Sequence, residues 1–274
     1  MKINNLKFVY IAHLKRRRAI YAIFILISAL ISVLYLYNRF SIAHENLKSP
    51  ILETSNDTTL TIGIIGDSWV AAGNLDPFIK NSMSLNGRHC IIYSGGLGGA
   101  KTKQVYMNLF APESDFFSTA YIKKKQVKYC IVCCGVNDSF GQFGKRFYSK
   151  NMCMIIKELL KYNIKPVIVE LPEYGVEELY NTLHVVHKIK HRIFSFFTSK
   201  NGMDNIKEYR EALAEEMKKQ LLNDKIVFVD FDAVCSDYSK CGYLYTDHLH
   251  LTDEGYSRLA DEIANGICTD LVKH

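Results

Sequence analysis

Residues 60–69 read Leu-Thr-Ile-Gly-Ile-Ile-Gly-Asp-Ser-Trp, and this stretch decides the fold. Its first seven positions are almost continuously apolar. In so short a run, that pattern marks a strand buried on both faces, as in a parallel sheet. Gly66-Asp67-Ser68 then turns the chain at the strand's carboxyl end. Four later runs repeat the pattern: HCIIYS (89–94), YCIVCCG (129–135), KPVIVEL (165–171) and KIVFVDF (225–231). Helical stretches over 69–85, 101–110, 149–162, 204–222 and 253–269 alternate with them. Alternation of this kind predicts an α/β chain with right-handed crossovers, a three-layer α/β/α sandwich around a five-stranded parallel sheet.

Upstream of the first strand the chemistry changes. Ala19–Tyr37 holds 19 uncharged residues, AIYAIFILISALISVLYLY. As a helix it would span about 28 Å, close to the hydrocarbon thickness of a bilayer. Lys15-Arg16-Arg17-Arg18 precedes it, and basic flanks stay cytoplasmic, which would put the rest of the chain outside the cytoplasm, at a cell (inner) membrane facing the periplasm or exterior. The expected division is a basic segment at 1–18, a transmembrane anchor at 19–37, a polar linker at 38–58 and a folded body at 59–274. A cleaved signal sequence is the competing reading, with Ser41-Ile42-Ala43 as a weak processing site. Its apolar run is longer than usual for that role, and Asn38-Arg39 intervenes.

The charge of +6 resolves along the same boundary. Residues 1–40 carry seven basic residues and no acid, leaving −1 for the remainder. The body therefore has no electrostatic case for nucleic acid. Cys130, Cys133 and Cys134 sit in an apolar run and read as buried strand residues. Cys235 and Cys241, six apart in a loop, can pair as a disulfide in an oxidising compartment or remain two thiols. No paired CxxC spacing suggests a metal, and no cofactor motif holds up.

Four segments fall at the carboxyl ends of strands, where open α/β sheets bind ligands. After strand one, Ser68 is either a nucleophile or a cap for the next helix, whose N-terminal N–H groups would favour an oxyanion. After strand two comes Ser94-Gly95-Gly96-Leu97-Gly98-Gly99-Ala100-Lys101-Thr102. Its glycines permit close backbone approach to a ligand. It also approximates a P-loop, with Ala100 where that motif needs glycine. After strand three, the Asn137 side chain offers an N–H for an oxyanion hole, or forms a plain turn with Asp138. Last comes Asp247-His248-Leu249-His250, in which Asp and His three apart can form a hydrogen-bonded pair. Spacing alone leaves His248 and His250 both open as the base.

GDSW, the glycine-rich turn, GVND and DHLH resemble, in order and placement, the four blocks of the SGNH (GDSL-like) hydrolase superfamily over about residues 60–270. That resemblance implies the flavodoxin-like SGNH fold and assigns roles. Ser68 would be the nucleophile, with Asp247 and His250 completing the triad. The oxyanion hole would be formed by the N–H groups of Ser68 and Gly99 with the Asn137 side chain. Asp67, Trp69 and Asp138, flanking these residues, are candidates for substrate contact. Trp69 departs from the leucine of the family's name and either lines the acyl pocket or packs beneath the helix. The missing GxSxG argues against an α/β-hydrolase elbow.

Three further features bear on function. His184, His187 and His191, at i, i+3 and i+7, read as one helix face, solvated or contacting an anionic glycan or lipid. Asn56-Asp57-Thr58 and Asn137-Asp138-Ser139 fit the glycosylation sequon. Modifying Asn137 would destroy the proposed hole, which favours a bacterial envelope. The expected activity is hydrolysis of acyl esters, foremost O-acetyl, on cell-envelope glycan or lipid. An O-acyltransferase drawing on a multi-spanning acyl-donor membrane protein is an alternative, and a catalytically silent scaffold on the same fold is another.

Overall fold

The computed structural model describes residues 2–46, 59–115, 117–125, 127–199 and 204–273. It divides into two units, residues 1–41 and 42–274. The first is one helix, α1 (Lys2–Phe40), which runs beyond both ends of the expected span. An 18-residue window within its Lys15–Phe40 portion has a mean hydropathy of 2.5, and this portion is long and apolar enough to cross a membrane. The same test is passed by signal sequences.

The second unit contains five strands. In chain order its elements are β1 (Leu60–Gly66), α2 (Asp76–Leu85), β2 (Cys90–Gly96), α3 (Thr102–Asn108), α4 (Tyr121–Lys124), β3 (Tyr129–Cys133), α5 (Val136–Phe140), α6 (Lys145–Lys161) and β4 (Lys165–Val169). There follow α7 (Val176–Thr182), α8 (Val185–Thr198), α9 (Ile206–Lys219), β5 (Val227–Val229), α10 (Tyr238–Cys241) and α11 (Asp253–Lys273). All sheet pairings are parallel, in the order β2-β1-β3-β4-β5. This is the flavodoxin-like order, whose switch point lies between β1 and β3. Helices α2 and α11 pack together, as do α3, α6 and α9, giving the two outer layers. The strand core is dry: Ile62, Ile64, Ile131, Val132, Val167 and Ile168 are fully buried. Cys130, Cys133 and Cys134 are buried among them, and burial pushes all three thiols up.

The boundaries differ from expectation for local reasons. The predicted helix from residue 69 begins only at Asp76, where Pro77 supplies a preset φ in the first turn. The intervening residues form a turn and a short 3₁₀ segment, Ala71–Gly73. Strand β5 is cut to three residues because a 3₁₀ turn precedes it. The Asp230 carboxylate then caps another turn by accepting from the Asp232 N–H. Much of the expected linker, residues 47–58, and with it the Asn56 sequon, lies outside the described residues. Ile42–Asn46 instead packs on the body. Ala43 is buried and its N–H donates to Asn151 Oδ1 at 3.0 Å, and Asn46 N–H donates to the Tyr106 hydroxyl. Residues 173–199 contain the helices α7 and α8.

Candidate active site

The register aligns the carboxyl ends of the three strands that matter. Gly66 of β1 pairs with Gly96 of β2 and Cys133 of β3. A Cβ on Gly66 would fall 2.0 Å from the Cys133 carbonyl, and one on Gly96 would fall 2.4 Å from the Ala71 N. These glycines therefore let the strand ends close on the turn at 67–71. The close approach expected of the glycine-rich segment is made partly to the protein's own backbone.

That turn is organised by Asp67. Its carbonyl accepts the N–H groups of Val70 and Ala71, and its carboxylate accepts Trp69 N–H at 3.2 Å. Ser68 is left half-buried at the apex. Its N–H and that of Gly99 have no acceptor among the described residues. Gly99 holds φ +73°, a conformation that costs glycine little, and is exposed. Because α2 starts eight residues after Ser68, any oxyanion there would meet single N–H groups rather than the end of a helix, contrary to expectation.

Asp247 and His250 lie on a loop closed by a bridge between Tyr245 and Leu251. One carboxylate oxygen of Asp247 accepts the N–H groups of Leu249 (3.2 Å) and His250 (2.7 Å). The other lies 2.7 Å from His250 Nδ1, and His250 Nε2 lies 2.9 Å from Ser68 Oγ. Desolvation pushes Asp247 up, but the His250 N–H and ring and the Leu249 N–H outweigh it and hold the carboxyl below its usual range. His248 takes φ +66° and turns elsewhere, with its Nδ1 2.7 Å from the Tyr238 hydroxyl. Cys235 and Cys241 are joined as a disulfide just upstream, with α-carbons 5.9 Å apart, resolving that expectation in favour of the bridge.

The three residues expected to contact substrate are withdrawn from the surface. Trp69 is 1% exposed and packs against Phe231 and Tyr256, with ring centroids 5.9 and 6.4 Å away. Asp67 and Asp138 are also buried. Asp138 accepts the N–H of Thr102 at 2.9 Å and its hydroxyl at 2.7 Å, fastening the glycine-rich turn to α5. Burial pushes both acids up to about 7. Thr102, whose hydroxyl a P-loop would direct to a metal, is thus committed to Asp138. The Asn137 amide donates to Ala100 O at 3.1 Å and makes only a 3.4 Å contact with Asp67. Thr102 and Tyr238 support the site yet carry no recognisable sequence signal beyond their neighbours.

The histidine face also turns out differently. His184 caps α8 instead of belonging to it, and His191 is buried, 5.0 Å from the Phe140 ring in an edge contact. Burial lowers the His191 pKa. Glu170, Asp230 and Asp232 bring carboxylates within 4.8 Å of one another. Arg210 already pairs with this group, at 2.6 Å from Asp232 and 3.6 Å from Glu170. A cavity of about 500 Å³ is walled by Glu173, Tyr174, Glu178 and Tyr238 among others, and none of Ser68, Asp247 and His250 lines it.

Residues 64–258 match the GDSL-like lipase/acylhydrolase family. The chain belongs to this family. As a GDSL-like hydrolase it is a serine hydrolase acting on ester bonds. No curated protein matches it in sequence. Several solved GDSL-like hydrolases and esterases share its fold. A lipase/acylhydrolase from Enterococcus faecalis aligns with a TM-score of 0.57 at 15% identity, over 77% of this chain and 97% of its own. An acetyl xylan esterase aligns at 0.55 and 17%, over 76% and 100%. A psychrotrophic esterase from Pseudoalteromonas sp. aligns at 0.53 and 13%, over 77% and 98%.

Proposed function

We propose that this GDSL-like hydrolase is a membrane-anchored esterase that removes acyl groups, foremost O-acetyl, from cell-envelope glycan or lipid through a Ser68-His250-Asp247 triad. The observation that carries the reading is the contact line from Asp247 Oδ2 through the His250 ring to Ser68 Oγ, at 2.7 and 2.9 Å.

With the Nδ1 proton directed at Asp247, His250 Nε2 accepts the Ser68 proton as Oγ attacks the ester carbonyl. The negative charge that develops on the carbonyl oxygen is held by the unpaired N–H groups of Ser68 and Gly99 and by the Asn137 amide proton that has only a weak partner. Collapse expels the alcohol, which takes its proton from His250. A water deprotonated by His250 then attacks the acyl-enzyme and releases the acid.

The site is open, with an Asp247 side chain 56% exposed. An open site suits an ester displayed on a larger glycan or lipid better than a small enclosed substrate. The apolar Lys15–Phe40 helix and the Cys235–Cys241 bridge support placing the body outside the cytoplasm, where disulfides persist. Incubation with p-nitrophenyl acetate and an active-site phosphonate tests the mechanism. Ser68 should be phosphonylated and Ser68→Ala should be inactive. Unmodified Ser68, or full activity in that variant, would overturn it. Product analysis with an acetylated glycan and an acceptor separates the chemistries, since transfer exceeding hydrolysis would replace the esterase with an acyltransferase.

A further inference from the structure

Helix α8 is amphipathic with its apolar face outward. Inward, His191, Phe194 and Ser195 are buried. Outward, Val185, Val186, Ile189, Ile193, Phe196 and Phe197 are all exposed, Phe196 by 79% and Phe197 by 72%. At 3.6 residues per turn, these six occupy an arc of about 120° opposite the buried face. Lys188 and Arg192 border one side of that arc and Lys190 the other. The helix contains no acid. The acids of neighbouring α7, Glu177 and Glu178, line the cavity toward Tyr238.

Contiguous apolar surface of this kind is uncommon on a soluble body and marks a docking surface. A protein partner would be met by an apolar patch with a polar rim of mixed sign. Here the rim is uniformly cationic, and long basic side chains beside an apolar stripe can extend their heads to lipid phosphates while the stripe enters the acyl boundary.

The position of α8 in the body agrees. Segment Ile42–Asn46 runs along α6, with Ala43 at Asn151 and Asn46 at Lys161. Its upstream end therefore points to the N-terminal end of α6. Thr198 of α8 packs at that same end, where a Cβ on Gly144 would fall 3.0 Å from the Thr198 Cβ. The N-terminal end of α6, toward which Ile42 lies, is the end that carries α8. It also adjoins the carboxyl edge of the sheet, where Asn137 and Ser68 lie.

We infer that α8 is a second, interfacial membrane contact, which seats its Val185–Phe197 face in a bilayer with anionic headgroups and holds the Ser68 edge toward that surface. The inference rests on the anchoring part of the proposed function and is independent of the catalytic part.

The test uses the full chain in vesicles of phosphatidylcholine and phosphatidylglycerol, with a Phe197→Trp reporter read against the buried Trp69 of the parent. Lipids brominated in their acyl chains should quench the Phe197→Trp signal several-fold more than that of Leu85→Trp, an equally exposed position on α2. Adding Lys190→Gln and Arg192→Gln should reduce that quenching several-fold. Equal quenching at the two reporter sites would overturn the inference. So would a blue-shifted, unquenched signal that grows with protein concentration, which would mean that a second copy covers the face. Hydrolysis of p-nitrophenyl acetate by the same samples reports on the triad separately, so either idea can fail alone.

Discussion

The Tyr238 hydroxyl lies 2.7 Å from Nδ1 of His248, and that contact turns the His248 ring away from Ser68. Two histidines stand two residues apart after Asp247, and their backbones separate them. His248 takes φ +66°, a left-handed value unfavourable for most side chains, while His250 faces Ser68 Oγ at 2.9 Å. His250→Ala is therefore expected to lower kcat for p-nitrophenyl acetate by roughly 10⁴-fold or more, the scale of triad deletions. His248→Ala should keep kcat within a few-fold. Steady-state kinetics on the two variants decide it, and a large loss in His248→Ala would reverse the assignment.

Much of the sheet was legible because parallel strands buried on both faces are written as uninterrupted apolar runs, as in LTIGIIG and YCIVCCG. The site blocks were legible because each follows such a run. Outcomes that depended on tertiary packing were not. The start of α2 is a local exception, since Pro77 marks it in the sequence although no periodicity in 69–85 does. The histidines at 184, 187 and 191 have a clear helical spacing, but spacing does not say which face turns inward. Phe140, edge-on to His191, and Tyr180, tilted against it, settle that from elsewhere in the chain. Likewise, Asp138 next to Asn137 looks like a site residue until Thr102, 36 positions away, is seen to use both its oxygens.

Trp69 adjoins Ser68 in sequence yet belongs to the core. Trp69→Ala should cost about 3–5 kcal/mol of stability, as large core truncations do. Trp69→Phe, which keeps an aromatic ring against Phe231 and Tyr256, should cost less and leave KM for short esters nearly unchanged. Urea unfolding and esterase kinetics on both variants provide the check. A KM change of tenfold or more in Trp69→Phe would mean that the indole reaches the substrate after all.

The Cys235–Cys241 bridge closes a short loop that includes Tyr238, the partner of His248. Chain-entropy reasoning for so small a loop gives about 2 kcal/mol of stabilisation. Replacing both cysteines by serine should lower the unfolding midpoint by a corresponding amount. It should also lower kcat more than it raises KM, because the loop that aims His250 is less well held. Thermal unfolding and kinetics under non-reducing conditions measure both effects.

Asn137 is the proposed oxyanion donor with a competing partner, since its amide also donates to Ala100 O. Asn137→Ala should reduce kcat by roughly 10²–10³ while leaving KM within a few-fold, the pattern of an interaction made in the transition state. A loss confined to KM would assign Asn137 to substrate binding instead.

Asp138 yields a prediction about stability with a definite sign. Burial raises its folded pKa to about 7, so the folded protein holds a proton that the unfolded chain releases near its ordinary carboxylate value. Between those values the native state binds more protons, and the associated stability is complete at low pH and lost as pH rises through about 7. Asp67 is raised to about 7 as well and adds to the same trend. Asparagine can keep both bonds to Thr102, accepting from the N–H and donating to the hydroxyl. Asp138→Asn should thus flatten the decline in stability across this window and gain most, relative to the parent, above pH 7. Asp138→Ala strands the buried Thr102 N–H and should be less stable at every pH, by roughly 1–3 kcal/mol for the unpaired donor. Urea denaturation of the three proteins from pH 4.5 to 8 measures the slopes. An Asp138→Asn slope as steep as the parent's would mean that the Asp138 carboxyl does not carry the pH dependence.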